Sequence, residues 1–231
     1  TLSEEHPETA QLVHLGWSVN ERPVYGIRIS RSVQASRSVR ILGAHHGDET
    51  SSAEVSLEVA RQWLQSPSDA MDAWLQQHEV WIVPHVNPDG IANLDRYNAN
   101  NVDLNRNYGY QWSEYEFRSG DGPFSEPETR NIRALGTWIP AGLGLSVHSG
   151  ATNIGWVWNF TEERTQDDEL LEAIAARYAS HCTTEDFWIT NGADWYVTNG
   201  DTTDWSYGRY GTLDYTLEVS QHKHPGAAQM E

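Results

Sequence analysis

The chain has 231 residues, of which 38% are hydrophobic and 21% are charged, and it carries a formal net charge of −18. This excess of acid argues against nucleic acid and anionic membranes as partners, because phosphate groups repel an acidic surface. No apolar stretch approaches the roughly 18 residues that a membrane-spanning helix requires. The length and composition therefore favour one globular domain with a sizeable core.

Cys182 is the one cysteine in the sequence, so the chain forms no internal disulfide. A single cysteine does not fix the redox compartment. We favour an extracellular or periplasmic location and leave the cytoplasm open. The sequence starts at Thr1 with no signal-like segment, which is typical of a processed form.

The first third of the chain predicts short strands followed by one long helix. Residues 11–19 and 23–29 predict a hairpin around the turn at 20–23. The apolar run 39–44 predicts a buried strand. From Thr50 the apolar spacing becomes helical, as shown by Ala53, Leu57, Ala60 and Leu64.

The middle of the chain predicts one strand, one long loop and one helix. Residues 79–86 predict a buried strand, and the Asn-Pro-Asp-Gly sequence at 87–90 predicts a turn after it. Residues 91–124 are rich in Asn, Gly, Asp and Tyr and predict a long loop, whose length suggests a function. Ser-Glu-Pro-Glu at 125–128 predicts a capping box that opens a helix ending near Trp138.

The last third predicts buried strands at 144–148 and 154–160, a helix at 167–180 and an alternating strand at 213–219. Strands alternate with helices throughout. The sequence therefore predicts a single α/β domain over residues 1–231, with a mixed central sheet covered by helices on both faces.

His46 and Glu49 stand three residues apart where the first buried strand meets the first long helix. Imidazole nitrogen and carboxylate oxygen are zinc ligands, and a catalytic zinc keeps three protein ligands plus water. This pair can converge on one ion. The alternative is a surface turn with a chance pair. His45 competes for the role, but the residue three positions after it is Asp48.

Two further ionisable residues lie in predicted strands. His148 ends the strand at 144–148, where open α/β sheets bind ligands; the alternative is a hydrogen-bonded structural histidine. Glu218 lies within the strand at 213–219, and a buried carboxylate is costly unless it is paired or functional. In a cleft it could take a proton from a metal-bound water. Otherwise it faces solvent.

The long loop carries Arg96, Asp103, Asn105 and Arg106. A guanidinium recognises a carboxylate through two parallel hydrogen bonds, so an exopeptidase could use one to hold the end of its substrate. The alternative is a set of surface ion pairs of little energetic value.

Taken together, these motifs resemble the zinc metallocarboxypeptidases, the carboxypeptidase A-like enzymes. The resemblance runs from Ser18 to Pro225 and rests on the stretches His46-Gly47-Asp48-Glu49, Ser146-Val147-His148-Ser149 and Thr216-Leu217-Glu218-Val219-Ser220. It implies the α/β fold of that family. It also implies that one Zn²⁺ is held by His46, Glu49 and His148.

The same resemblance assigns the other roles. It implies that Asp103 orients the first histidine ligand, that Arg96 polarises the scissile carbonyl and that Glu218 is the general base. Asn105 and Arg106 would grip the carboxylate of a peptide substrate with a free C-terminus. Residues 191–207 resemble the mobile loop of the regulatory branch of the family, which places the substrate-capping tyrosine at Tyr196 rather than at Tyr207.

By the same match, the pocket for the terminal side chain would consist of Asn159, Asn191, Trp195, Asp201, Thr203 and Thr216. This set is polar with one carboxylate, so we expect a moderate preference for Lys, Arg or diaminopimelate, with residual activity on neutral residues. Asp201 follows Gly200 in a predicted loop that could hold the carboxylate in water, where screening would weaken the selection.

The sequence departs from the family at several points. Asp48 stands where carboxypeptidase A-type enzymes have an arginine, so a secondary substrate contact is expected to be missing. The stretch 46–52 is similar instead to bacterial murein peptide amidases, and Asn159 stands where basic-specific members have Asp. The family continues into a closing helix after the position of Pro225, so the native protein is expected to be longer.

The sequence therefore predicts a zinc-dependent metallocarboxypeptidase that hydrolyses the C-terminal amide bond of peptides. The alternatives are a zinc amidase acting on the γ-D-glutamyl-diaminopimelate bond of murein peptides and an acyl-amino-acid deacylase. A catalytically dead binding module is disfavoured, because His46, Glu49, His148 and Glu218 are all present.

Overall fold

The computed structural model describes residues 1–224. Its strands form one eight-stranded mixed sheet in the order β1-β2-β4-β3-β5-β8-β6-β7. The strands are β1 Ala10–Trp17, β2 Pro23–Ile29, β3 Ser38–Gly43, β4 Glu79–Val83, β5 Leu143–His148, β6 Ala151–Trp156, β7 Trp188–Asn191 and β8 Leu213–Ser220.

The helices are α1 Leu2–Glu5, α2 Thr50–Gln65, α3 Asp69–Leu75, α4 Pro88–Asn93, α5 Pro127–Trp138, α6 Asp168–Ala179, α7 Gly192–Trp195 and α8 Thr202–Tyr210, with a 3₁₀ helix at Leu104–Arg106. Apolar residues of α2 and α3 pack on one face of the sheet. Those of α5 and α8 pack on the other. The single α/β domain with a mixed, helix-covered sheet is confirmed. Within residues 1–224, none of the helices combines the length and the apolar composition that a membrane span requires.

Several predicted boundaries need correction. The strand expected at 79–86 ends at Val83, directly before Pro84, which has no N–H for the ladder. The strand expected at 154–160 starts at Ala151 and ends at Trp156. The capping box at 125–128 is wrong: the N-cap of α5 is Glu126, and the Ser125 hydroxyl donates to the Glu126 carboxylate instead of capping the helix.

One amide side chain, that of Asn107, ties the long loop after α4 to the start of α5. Asn107 Nδ2 donates to the carbonyls of Ser119 and Gly122 and to the Ser125 hydroxyl. Its Oδ1 accepts hydrogen bonds from the Glu126 N–H and the Thr129 hydroxyl at the start of α5. Residues 103–106, which lie immediately before it, are thereby fixed against the body of the domain.

The central strands set the position of the candidate site. β3, β5 and β8 are parallel neighbours, so their carboxyl ends meet at one edge of the sheet. His148 ends β5, with Glu218 on β8 as its register partner. β6 then runs back antiparallel to β8. Ligands of open α/β sheets bind at such an edge.

Candidate metal centre and substrate cavity

Three side chains converge at the carboxyl edge of the sheet. One ligand atom each from His46, Glu49 and His148 lies within 4.8 Å of the other two. The Nδ1 atoms of the two histidines are only 3.2 Å apart, and each is 2.9 Å from an oxygen of Glu49. Two imidazole nitrogens and a carboxylate facing one another in a buried place match the donor set of a catalytic zinc. The group can bind one metal ion.

Local backbone geometry explains how the sequence His-Gly-Asp-Glu reaches this point. Ala44, directly after β3, has a φ of +51° in the left-handed region and turns the chain toward the site. Gly47 is required, because a Cβ there would lie 1.9 Å from the carbonyl carbon of Gly90. Glu49 is then the N-cap residue of α2. The strand end, the turn and the helix start therefore place His46 and Glu49 on the same side.

The ring of His46 is oriented by a carboxylate on the side away from the metal centre. Its Nε2 lies 3.0 Å from Asp103 Oδ1, so a proton on Nε2 leaves the Nδ1 lone pair free for a metal ion. Arg96 Nε donates to Asp103 Oδ2 at 2.9 Å. Burial alone would raise the pKa of Asp103, but His46, Arg106 and Arg96 hold it well below its ordinary value. Asp103 therefore stays an acceptor.

His45 is excluded as a ligand by where it points. It is fully buried, with Nε2 2.8 Å from the Tyr108 hydroxyl and Nδ1 3.3 Å from the Ser146 hydroxyl. Both ring nitrogens are thus engaged away from Glu49. Of the two neighbouring histidines, His46 is the one that faces the metal centre.

Glu218 lies beside this centre on β8. It is 8% exposed, and its Oε2 has no hydrogen-bond partner within residues 1–224. Burial and the nearby charge of Glu49 raise the pKa of its carboxyl to about 7. A carboxylate in this state is able to exchange a proton near neutral pH.

The cavity in front of the triad is lined by polar residues expected from the long loop and from the 191–207 segment. Arg96, Asn105, Arg106 and Tyr196 all line it. Arg96 reaches Glu49 Oε1 at 3.6 Å. Asn105 Oδ1 accepts from the N–H of Thr202, which fixes the amide against α8. The guanidinium groups of Arg96 and Arg106 therefore share one cavity with the Glu218 carboxylate and the metal-binding triad.

The expected specificity pocket is only partly brought together. Asn159, Trp195, Asp201 and Thr216 line the cavity. Asn191 and Thr203 are not among its lining residues. Asn191 caps α7 and donates to the Val157 carbonyl, while the Thr203 hydroxyl donates to Asp201 Oδ1.

The expectation that Asp201 lies in a solvated loop is wrong. Asp201 is 3% exposed and is the N-cap of α8. Its carboxylate accepts hydrogen bonds from the hydroxyls of Thr203 and Thr198 and from the N–H of Asp204. Burial and the charge of Asp201 together raise the pKa of Asp204 well above its ordinary value. Asp201 is therefore committed to capping a helix.

Four further residues line the cavity, although the sequence did not predict them as part of it: Asn153, Gly155, Gly192 and Thr198. Sequence inspection gave no signal for Asn153, because the alternation of β6 shows which residues share a face only once the strand boundaries are known.

A cation from another part of the chain lies beside Asp48. Lys223 Nζ lies 2.8 Å from Asp48 Oδ2 and 3.3 Å from Glu49 Oε1. Its segment is tied down by neighbouring contacts: Gln221 Nε2 donates to the Thr152 hydroxyl at 2.8 Å, and the His224 ring lies 2.9 Å from the Thr50 hydroxyl.

Comparison with known proteins places this geometry in a family. The whole chain, residues 1–231, matches the family model described as zinc carboxypeptidase. Carboxypeptidase SOL1 of Arabidopsis thaliana is 32% identical over 242 residues, covering 96% of this chain and 48% of the plant protein. Carboxypeptidase D of Mus musculus is 27% identical over 286 residues, covering 97% of this chain and 20% of the mouse protein. The chain thus spans about half the length of the first relative and a fifth of the second.

Solved structures agree on the fold. Carboxypeptidase A from Helicoverpa armigera superposes with a TM-score of 0.88 at 21% identity, covering 97% of this chain and 63% of that one. The murein-tripeptide amidase MpaA from Escherichia coli O157 is 28% identical with a TM-score of 0.60, covering 90% of this chain and 83% of that one. Because the family model matches from the first residue to the last, the chain belongs to the zinc carboxypeptidase family.

Proposed function

We propose that this chain is a zinc-dependent metallocarboxypeptidase that removes the C-terminal residue of peptides. The observation that carries the proposal is the shared cavity of the triad, Glu218, Arg96 and Arg106. A carboxylate and two guanidiniums around a metal-binding group match the needs of amide hydrolysis at a charged chain end. A zinc ion bound by His46, Glu49 and His148 would lower the pKa of water toward about 7 and polarise a carbonyl.

The chain's own residues supply the remaining chemistry. Arg106 and Asn105 bind the terminal carboxylate of the peptide, and Tyr196 closes over it. Glu218 accepts a proton from the attacking water and then delivers it to the departing amine. Arg96 donates a hydrogen bond to the oxyanion that forms on the scissile carbonyl, an interaction typically worth about 3–4 kcal/mol.

Asp103 has a positioning role in this proposal. Its contact with His46 Nε2 and its ion pair with Arg96, at 2.8 Å from Nη2, link a metal ligand to the oxyanion donor. One carboxylate thus orients both groups, and neither has to reorganise during the reaction.

The second candidate is hydrolysis of murein peptides. It is favoured by the 28% identity to the murein-tripeptide amidase MpaA, of which the match covers 83%, and by the amidase-like stretch at 46–52. This activity would use the same triad and the same base, on a γ-D-glutamyl-diaminopimelate bond.

A hydrolysis panel separates the two candidates. We would incubate the protein with peptides ending in basic, aromatic, aliphatic and polar residues, and with a γ-D-glutamyl-diaminopimelate tripeptide, each with and without a metal chelator. The proposal predicts release of the last residue from ordinary peptides, abolished by the chelator and restored by zinc. Cleavage of the murein tripeptide alone would establish the second candidate instead.

A further inference from the structure

A fully buried amide in the substrate cavity has no hydrogen-bond partner. Asn153 on β6 is 0% exposed, and it lines the cavity that holds the metal triad. Neither its Oδ1 nor its Nδ2 bonds to any atom within residues 1–224. A buried polar group without a partner destabilises the fold, so native proteins rarely keep one unless a ligand or water completes it. Asn153 is therefore arranged to be completed from the cavity.

The register of β6 against β8 shows what surrounds this amide. Asn153 and Gly155 alternate onto one face of β6, opposite Glu218 and Thr216 of β8. A Cβ added to Gly155 would meet only Thr190 atoms at 3.6 and 3.7 Å, which is ordinary contact. Packing therefore does not require glycine there. The missing side chain leaves a hollow in the cavity beside the Asn153 amide.

Two other polar side chains of the cavity, Asn159 and Asp201, already make hydrogen bonds within the domain. Asn159 Nδ2 donates to the Thr203 hydroxyl and to Asp204 Oδ1. Asp201 Oδ1 accepts hydrogen bonds from the Thr203 hydroxyl and the Asp204 N–H, and its Oδ2 accepts one from the Thr198 hydroxyl. Among the amide side chains that line the cavity, Asn153 is the one whose donor and acceptor both lack a partner within residues 1–224.

We propose that Asn153 reads the terminal side chain of the substrate and selects a carboxamide, that is, a peptide ending in Asn or Gln. This rests on the proposed carboxypeptidase activity. A carboxamide offers one donor and one acceptor and satisfies both ends of Asn153. A leucine or methionine side chain of similar shape leaves both ends unsatisfied. A carboxylate side chain would be repelled by Glu218, and an ammonium satisfies Oδ1 only.

The test compares peptides that differ only in a terminal residue of matched shape, Asn against Leu and Gln against Met. We expect kcat/KM to be at least tenfold higher for the amide member of each pair. In Asn153→Leu the two ratios should fall at least tenfold. The same change at Asn93, at the exposed end of α4, is the control and should leave both ratios unchanged.

Stability gives an independent reading. Because Asn153→Leu replaces an unsatisfied amide by an apolar group of the same shape, its Tm should equal or exceed that of the unaltered protein, with zinc content retained. A lowered Tm would mean that the amide has a structural partner. Either that result or equal kcat/KM for Asn and Leu peptides would overturn the inference.

A failure of the proposed function is distinguishable from this. If no peptide is hydrolysed, the carboxypeptidase proposal fails, and the affinity of the zinc-loaded protein for the same peptide pairs is measured by calorimetry. Preferential binding of the amide peptides, lost in Asn153→Leu, supports the inference. Equal binding of each pair contradicts it.

Discussion

The ammonium of Lys223 lies 2.8 Å from Oδ2 of Asp48 and 3.3 Å from Oε1 of the metal-binding Glu49. Asp48 and Lys223 are 175 residues apart in the sequence, yet they form one ion pair at the edge of the metal centre. A cation so close to a ligand oxygen competes electrostatically with a metal ion for that oxygen. This pairing has a direct consequence for metal affinity.

Replacing Lys223 by Met should tighten zinc binding. The substitution removes a positive charge beside Glu49 and frees a negative charge on Asp48, and both changes favour a cation. At the partly exposed site the Coulomb effect is about 1 kcal/mol, or roughly fivefold in affinity. Competition with a chromophoric chelator measures it, with Arg209→Met as a control for the loss of a surface cation. Weaker zinc binding in Lys223→Met would show that the lysine supports the site instead.

His148→Ala should lose most of its zinc. The substitution removes one of three donors that lie within 4.8 Å of one another, and two remaining ligands do not make a stable zinc site. Metal analysis after dialysis at defined free zinc gives the occupancy. His45→Ala, which alters a neighbouring histidine that points elsewhere, should keep its zinc if it folds. Full occupancy with unchanged affinity in His148→Ala would remove His148 from the ligand set.

Glu218→Gln should retain zinc and fold but lower kcat by orders of magnitude, because the proposed base acts in the transition state. Its amide keeps the shape of the side chain and cannot accept the proton from water. Steady-state kinetics on a peptide substrate, together with metal analysis, checks both parts. Turnover near that of the unaltered protein would rule out Glu218 as the base.

The same variant predicts a pH dependence of stability in the metal-free protein. The folded-state pKa of Glu218, about 7, exceeds the ordinary value of 4.5. The folded form therefore holds its proton longer than the unfolded form. Its favourable contribution is complete below pH 4.5 and is lost as pH rises through about 7.

Relative to Glu218→Gln, the unaltered apoprotein should therefore lose roughly 3 kcal/mol of unfolding free energy between pH 4 and pH 8. The glutamine variant should be the more stable protein at pH 8. Urea unfolding of both apoproteins across this range measures the difference. A difference that does not change with pH would show that the carboxyl has an ordinary pKa.

Two substitutions of Asp201 distinguish a helix-capping role of its carboxylate from a role in selecting positively charged substrates. Asp201→Ala removes an N-cap and should lower the unfolding free energy by about 0.5–2 kcal/mol, whereas Asp201→Asn should keep most of the stability. The sequence predicts that Asp201→Asn lowers kcat/KM for a Lys terminus while sparing Leu or Phe. Since three donors already occupy the carboxylate, we expect that loss to be less than about threefold. A tenfold selective loss for Lys would restore Asp201 as the main selector.

The sequence predicted the elements and residues that local patterns mark, and missed those that depend on register. The apolar runs that form β3 and β5 lead into His46 and His148, so the metal-binding residues could be predicted from the sequence. Helix α8 was missed, because residues 202–210 lack helical apolar spacing. Two residues typical of helix ends are nevertheless present in the sequence, Asp201 at the start and Gly211 at the end. In the structure Asp201 is the N-cap, and Gly211 has a φ of +70°.

Asn153 and Lys223 could not be found in this way. Asn153 faces Glu218 only because β6 returns antiparallel to β8, and sequence alone does not give that pairing. Lys223 reaches Asp48 because the segment after β8 folds back over the start of α2. Both contacts join residues that are distant in the sequence, and local sequence patterns do not predict such contacts.

The most direct test of the proposed carboxypeptidase activity uses one peptide sequence made in two forms, with a free C-terminus and with an amidated C-terminus. Mass spectrometry identifies the products of each form. We expect the zinc-loaded protein to shorten the free peptide from its C-terminus one residue at a time. We expect no cleavage of the amidated peptide, and no cleavage of either peptide in the presence of a chelator. Internal cleavage, or equal cleavage of the amidated peptide, would contradict the claim that this protein is a metallocarboxypeptidase.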